Sequence, residues 1–209
     1  MKLFDFQRAP NPRRVRLFIA EKGLDLQHIN INLYRMEQLS SEFLSINPGG
    51  TVPVLETDDG VYLTEGVAIC HYLEQLHPEP CLMGSTPLQQ ANVLMWNNIV
   101  ENEGISAAAE ILRNISPGFR DHALSGQTKI PQIPALVQRG QLRFQEFLGR
   151  IEKQLGEHPW LAGPEYSFAD MSLLATLEYA TWVDIDARDS NPAIHAWWQR
   201  MDKPDGIIA

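Results

Sequence analysis

The chain has 209 residues, 44% hydrophobic and 21% charged. That is ordinary globular usage; it excludes long disorder and suffices for one large domain or two small ones, each with a core. The formal net charge is −9; basic surfaces attract nucleic acids and anionic membranes, so no nucleic-acid and no membrane partner is expected, although a local basic pocket can still hold a small anion.

Charges interrupt the opening Met1-Lys2-Leu3-Phe4-Asp5-Phe6-Gln7-Arg8. A secretory signal needs an unbroken apolar run, and a membrane helix about 18 or more apolar residues. Neither is expected here. The two cysteines are Cys70 and Cys81. Cys70 sits in the apolar run Val67-Ala68-Ile69-Cys70 and reads as a buried small hydrophobe. No disulfide framework is expected, and the reading favours a reducing cytoplasm.

Leu3-Phe4-Asp5-Phe6 reads as a short strand ending at the turn Arg8-Ala9-Pro10. Asn11 stands as a helix N-cap, Pro12 as the first helical position, and Val15, Phe18 and Ile19 recur at helical spacing. Gly23 closes that helix as a left-handed C-cap. Residues 27–32 alternate with period two, predicting a strand with one buried face. Ser40 to Leu44 predicts a short helix before the turn Asn47-Pro48-Gly49-Gly50. Residues 53–57 and 61–63, joined by Asp58-Asp59-Gly60, predict a β-hairpin, and a helix follows from Glu65 to Leu76.

The order is therefore βαβ, short helix, ββα, the order of a thioredoxin-like fold. The stretch from His77 to Pro87 has no periodicity and reads as a linker. Beyond it only helices are predicted. One runs from Thr86-Pro87 towards Ile115, one from Pro134 to about Leu155, one follows the capping box Ser167-Phe168-Ala169-Asp170, and the last starts at Asn191-Pro192. The expected fold class is α/β plus all-α: a thioredoxin-like βαβ-α-ββα domain over 1–77, a linker over 78–87, and a helical bundle over 88–209.

Where a glutaredoxin carries Cys-Pro-Tyr-Cys, this chain has Ala9-Pro10-Asn11-Pro12. It lacks both protein thiols there, so any sulfur chemistry must use a ligand's thiol. Asn47-Pro48-Gly49-Gly50-Thr51-Val52-Pro53-Val54-Leu55 resembles the Asn-Pro-x-x-x-Val-Pro-x-Leu segment of cytosolic glutathione transferases. Thr64-Glu65-Gly66-Val67-Ala68-Ile69 resembles the motif of that family in which an acidic residue and a serine open a helix. Trp160-Leu161-Ala162-Gly163 with Tyr166-Ser167-Phe168-Ala169-Asp170 resembles its core-helix cap.

That resemblance covers nearly the whole chain and implies glutathione as co-substrate, with no metal. It implies a cis bond at Val52–Pro53, with Thr51, Val52 and Pro53 beside the cysteinyl part of glutathione. It further implies Glu65 on the γ-glutamyl ammonium, the helix start at Gly66 on the γ-glutamyl carboxylate, and Gln38 near the glycyl end. Gly66 departs from the usual serine. It removes a hydroxyl donor but keeps the backbone N–H.

The family's usual thiolate-stabilising Tyr, Ser or Cys is absent from the first strand and turn, which offer Phe4, Phe6, Ala9 and Pro10. In this the chain resembles the bacterial, atypical nu-like branch. Asn11 is the remaining polar side chain and becomes the candidate catalytic residue. The candidate electrophile site is the end of the long helix, with Asn114, Ser116 and Phe119. Arg13, Arg14 and Arg16 read as a solvated helix face with salt bridges, and the six histidines show no metal-ligand spacing.

The implied activity is conjugation of glutathione to small, largely apolar electrophiles in a cytoplasmic homodimer, with Asn98 or Asn102 reaching towards the partner's site. The alternatives are glutathione-dependent disulfide reduction and a ligand carrier without turnover.

Overall fold

The structure is a computed structural model describing residues 1–188 and 190–201; the expected end of the helical region at 209 lies outside them. The first half runs β1 (Lys2–Asp5), α1 (Pro10–Glu21), β2 (Gln27–Asn30), α2 (Ser41–Ile46), β3 (Val54–Glu56), β4 (Tyr62–Thr64) and α3 (Gly66–Leu76). The sheet order is β2-β1-β3-β4, with β1 parallel to β2 and antiparallel to β3, and β3 antiparallel to β4. This is the thioredoxin-like arrangement that the element order predicts.

Side chains on consecutive strand residues point to opposite faces, and both faces of this sheet are covered. Leu3 and Leu55 enter the large core with Val15 and Phe18 of α1 and Ile69 and Leu73 of α3. Phe4 and Val54 point the other way and pack with Val52 and with Phe43 of α2, the Phe4 and Phe43 rings 6.2 Å apart. α1 ends as expected: Gly23 takes φ +61°, and the Gly23 and Leu24 N–H groups return to the Ala20 and Ile19 carbonyls.

Three local expectations change. β2 stops at Asn30, shorter than the alternation over 27–32 predicts, and is an edge strand; its expected buried face does form, Ile29 and Ile31 packing with Phe4 and Val52 while His28 and Asn30 are exposed. α1 starts at Pro10 with Ala9 as its N-cap, so Asn11 is not the cap and Pro12 is not the first helical residue. The Ala9 N–H bonds to the Phe6 carbonyl, and this turn draws Ala9 into the cap position. Arg14 does not lie on a solvated face. It is buried at 3% exposure, because α1 is sandwiched between α3 and the second half.

The second half comprises α4 (Pro87–Ile99), a π-helical turn (Val100–Ile105), α5 (Ser106–Ile115), α6 (Ala135–Glu157), α7 (Phe168–Ala180) and α8 (Pro192–Met201). α4 starts in a capping box of Thr86 with Gln89. The predicted long helix is interrupted by the π turn at Gly104. A Cβ there would lie 2.8 Å from Phe147 Cζ and 2.9 Å from Thr176 Cγ2, so the missing side chain lets α6 and α7 close on this helix.

The two halves share one hydrophobic core. Phe18 of α1 meets Phe168 of α7 edge-on at 5.8 Å. The stretch between α3 and α4 is tacked down by a buried pair: Lys22 Nζ donates to the His77 and Pro80 carbonyls and pairs with Glu74, whose other oxygen accepts from the Leu82 and Met83 N–H groups. Among the described residues no helix is long and apolar enough to cross a membrane.

α7 is buried nearly all round, so its N-terminal donors need internal partners. Asp170 supplies them at 0% exposure. One oxygen accepts from the Leu161 N–H and from Trp197 Nε1, both at 2.9 Å. The other accepts from the Ser167 N–H at 3.0 Å and Ser167 Oγ at 3.1 Å. Burial pushes this carboxyl up to about 6, against the pull of its four donors.

Asp170→Asn keeps one acceptor oxygen and sets an NH₂ group against the Ser167 donors. We expect a loss of about 3 kcal/mol or more, which is roughly 6–12 °C in Tm for a chain of this size. Because the folded-state value is raised, the proton-linked part of the contribution of Asp170, apart from the hydrogen bonds it keeps when ionised, is full below about pH 4 and is lost as pH rises to about 6. Urea melts of both proteins across that range should differ by this slope; parallel curves would refute the assignment.

Candidate active site

The hairpin register positions the predicted ligand residues. Val54 pairs with Thr64, so the two residues before β3 and the two after β4, Val52-Pro53 and Glu65-Gly66, lie at the same end of the sheet. The Val52–Pro53 peptide is cis, as the resemblance implies. Val52 is itself in neither strand, and no intramolecular hydrogen bond to its backbone occurs among the described residues.

The turn ahead of it is braced by Asn47, whose Nδ2 donates to Thr51 O at 2.9 Å and Thr51 Oγ1 at 3.1 Å while its Oδ1 accepts from the Gly49 N–H. Gln38 borders the same turn: a Cβ on Gly50 would sit 3.2 Å from the Gln38 carbonyl. The Gln38 Oε1 atom is buried without a partner. From the second half, Gln127 Nε2 reaches across to the Pro48 carbonyl at 2.9 Å.

Glu65 is the N-cap residue of α3, yet its side chain makes no cap hydrogen bond. It is exposed and sits at φ +66°, ψ +121°, outside the left-handed helical well and costly for any residue with a Cβ. Helix capping therefore does not account for it. Gly66 is explained from beneath. A Cβ there would lie 3.1 Å from Arg14 Nε and 3.2 Å from Arg14 Nη2, so the buried guanidinium fills the space a serine side chain requires.

The first strand delivers the third component. Phe4 pairs with Val54, which carries Val52 opposite Phe6 and the Ala9-Pro10-Asn11 turn. Pro10 and Pro12 have no N–H, and the Arg13 N–H returns to the Ala9 carbonyl. Asn11 thus holds the single free backbone donor of the first turn of α1, plus a half-buried amide side chain. It lies one turn before Arg14, whose guanidinium underlies the start of α3.

The predicted electrophile wall does not join this cluster directly. The Asn114 side chain is committed, Nδ2 donating to the Glu110 carbonyl at 2.7 Å and Oδ1 accepting from the Ile133 N–H at 2.8 Å. Ser116 ends α5, and its carbonyl accepts from Gln132 Nε2. Phe119 is half-buried under the Arg113 guanidinium at 4.8 Å.

A cleft of about 170 Å³ opens instead beside the start of α1, between Arg8, Pro10 and Arg13 on one side and Glu178, Tyr179 and Trp182 on the other. Burial raises the Tyr179 phenol and lowers the Arg113 guanidinium, and each partly offsets the other. Arg113 is thus the link from Phe119 to this cleft. One signal for the cleft residues was in the sequence: Glu178 and Asp170 are the two charges in the apolar helix 168–180.

Family models for the glutathione S-transferase N-terminal domain and C-terminal domain match residues 9–76 and 120–203. Glutathione S-transferase 2 of Saccharomyces cerevisiae is 32% identical over 99% of this chain and 88% of its own length. The crystal structure of Gtt2 from that yeast superposes with a TM-score of 0.88, covering 98% of this chain and 97% of the yeast chain. A glutathione S-transferase domain-containing protein from Marinobacter aquaeolei gives 0.89 at 28% identity, covering 98% of each chain.

The chain belongs to the glutathione S-transferase family. It is a glutathione transferase whose first strand and turn hold no Tyr, Ser or Cys. Its own thiols do not substitute: Cys70 is fully buried and its thiol is driven far up by burial, and Cys81 is raised by burial and by the nearby Glu74. No group of three or more His, Cys, Asp or Glu suited to a metal occurs among the described residues.

The strain at Glu65 has a measurable counterpart. Glu65→Gly relieves an unfavourable φ, offset in part by the entropy of an added glycine, and should stabilise this transferase by about 1 kcal/mol in urea melts. A loss of stability would show that the Glu65 side chain supports the fold.

Proposed function

We propose that this transferase conjugates the thiolate of glutathione to small, largely apolar electrophiles. The observation that carries the reading is the convergence of a free Val52 backbone, a strained and uncommitted Glu65 carboxylate, and the lone first-turn donor at Asn11. In this reading Val52, with Thr51 and Pro53 beside it, pairs with the cysteinyl part of glutathione. Glu65 takes the γ-glutamyl ammonium, the α3 start at Gly66 takes the γ-glutamyl carboxylate, and Gln38 borders the glycyl end.

The thiol then lies at the start of α1. A thiol with pKa about 8.5 is only a few per cent ionised at neutral pH, and lowering it by two units takes about 2.7 kcal/mol. A helix N-terminus contributes about 0.3–1 kcal/mol, and here two prolines remove two of its first donors. A hydrogen bond to a charged group adds about 1.5–3 kcal/mol. The Asn11 side chain must therefore carry most of the stabilisation. Reaction forms the S–C bond as the leaving group departs with its electron pair, and the thiol proton passes to solvent.

Asn11→Ala should raise the thiol pKa of bound glutathione by about one unit or more and lower kcat/KM about tenfold or more. The ultraviolet absorbance of the bound thiolate against pH reads the first; an unchanged titration with unchanged turnover removes Asn11 from the mechanism. A chloronitrobenzene and a glutathionyl mixed disulfide separate the two chemistries. In the second the thiolate attacks sulfur, glutathione disulfide forms and a thiolate leaves. Turnover of the disulfide alone would replace conjugation with disulfide reduction. Glutathione binding without turnover of either would make the protein a carrier.

The reading includes a cytoplasmic homodimer. Leu88, Leu94 and Met95 on α4 are exposed apolar side chains, with Leu88 and Met95 on one face at i, i+7. Light scattering should give twice the 23.6 kDa chain mass; a monomer at micromolar concentration contradicts it.

A further inference from the structure

The cleft beside α1 has a composition that a purely apolar acceptor site does not need. Its volume of about 170 Å³ is close to the roughly 150 Å³ that accommodates one benzene ring in a protein interior, so a six-membered ring fits in it. Trp182 and Tyr179 form an aromatic wall, ring centroids 5.4 Å apart, and Trp182 remains 43% exposed. Pro10 completes the apolar surface next to Asn11.

The charges on the rim are unequal. Arg13 is neutralised by Glu178, its Nε and Nη2 donating to the two carboxylate oxygens at 3.1 and 3.2 Å. Arg8 has no acidic partner among the described residues; its guanidinium lies over the Trp182 ring at 5.4 Å. Two arginines against one glutamate leave one excess positive charge on this cleft, in a chain of net charge −9. The long-range field of such a chain repels anions, so an anion that enters here is held by a local cation. Arg8 is exposed and in a turn, free to offer its planar donor fork to a carboxylate while its stem stays on the tryptophan.

We propose that this cleft selects small aromatic electrophiles that carry a carboxylate, the ring lying against Trp182 and Tyr179 and the acid group on Arg8. The proposal rests on the conjugation reading for the chemistry and on the cleft alone for the selectivity. Arg8 is a specificity-determining residue, since the reacting carbon lies on the Pro10 side, next to the sulfur. The apolar character of the site is retained for the ring; the carboxylate is an added requirement at its rim.

A matched pair tests this: 4-chloro-3-nitrobenzoate and 4-chloro-3-nitrobenzamide. In both, glutathione sulfur bonds to the chlorine-bearing carbon, chloride leaves with the electron pair, and the thiol proton goes to solvent. The wild type should show a KM about tenfold lower for the carboxylate than for the amide, and it is this KM ratio that reads the Arg8 contact, since the more electron-withdrawing amide has its own effect on kcat. Arg8→Gln should bring the ratio to about one, and Arg8→Lys should restore most of it.

A ratio near one in the wild type, or one that survives Arg8→Gln, overturns the proposal. If neither compound is turned over, calorimetric titration of 3-nitrobenzoate against 3-nitrobenzamide isolates the cleft. A carboxylate preference lost in Arg8→Gln keeps the cleft assignment and discards conjugation of these arenes; equal or undetectable binding of the two discards the cleft assignment.

Discussion

A guanidinium buried between two halves of a protein must be paired, and Arg14 organises the site through that requirement. Its Nη1 forms an ion pair with Glu101 at 2.5 Å, in the π turn, and lies 3.4 Å from Asn97 Oδ1 on α4. Asn97 in turn accepts from Ser172 Oγ of α7 at 2.7 Å. One side chain of α1 thereby fixes the spacing of α4, the π turn and α7, and the Phe168 ring lies 5.9 Å from the same guanidinium. Removing Glu101 would strand the Arg14 charge away from water, a larger penalty than losing a surface ion pair.

The same cation dictates what stands above it. α3 begins directly over Arg14, and only a residue without Cβ fits at its first position unless the guanidinium moves by a few tenths of an ångström. A serine at this helix start would press on the guanidinium, and with glycine the backbone N–H is what the site retains. The preceding residue then bears the consequence. Glu65 takes a backbone conformation that disfavours a side chain, and its carboxylate gains no internal hydrogen bond in return. An unfavourable conformation kept by a charged residue at a helix start fits a group held for a ligand rather than for the fold.

Much of this was legible in the sequence, for identifiable reasons. The hairpin, the Gly23 cap, the Ser167–Asp170 box and the helical second half are each specified by local chemistry: alternation, a positive φ, reciprocal caps. The residues implied as glutathione ligands fall at one end of the sheet because the hairpin register brings 52–53 and 65–66 together. What was not legible depends on tertiary contacts. Asn11 before Pro12 is a good cap signal, but the first four N–H groups of any helix are unpaired, so Pro10 and Pro12 both fit inside the first turn. Arg14 looks like its neighbours Arg13 and Arg16 until α1 is packed on both sides. Residues 27–32 alternate, but alternation does not reveal which strand lies at an edge. Asn114 has the chemistry of a substrate ligand and is used as a strut instead. The π turn follows from where α6 and α7 press against Gly104, a distance that no local pattern encodes.

In the proposed mechanism these constraints bear on how a thiolate is held where the first loop supplies no sulfur or hydroxyl. Prolines at 10 and 12 strip the helix start of two donors, which narrows an anion-binding surface to the neighbourhood of one residue. A broad helix N-terminus attracts any anion, including a substrate carboxylate, whereas a single N–H with one amide beside it fits one sulfur. Positive charge for a second anion must then come from elsewhere. Arg13 is consumed by Glu178 and Arg14 by Glu101, and Arg16 by Asp5 at 2.6 Å. α1 and the turn before it carry four arginines, and three are committed to holding the two halves and the first strand in place. The fourth, Arg8, stands on an aromatic wall beside the start of α1. Charge here is thus divided by burial: the enclosed arginines are paired and set the geometry, and the exposed one is the cation on which the proposed selectivity rests.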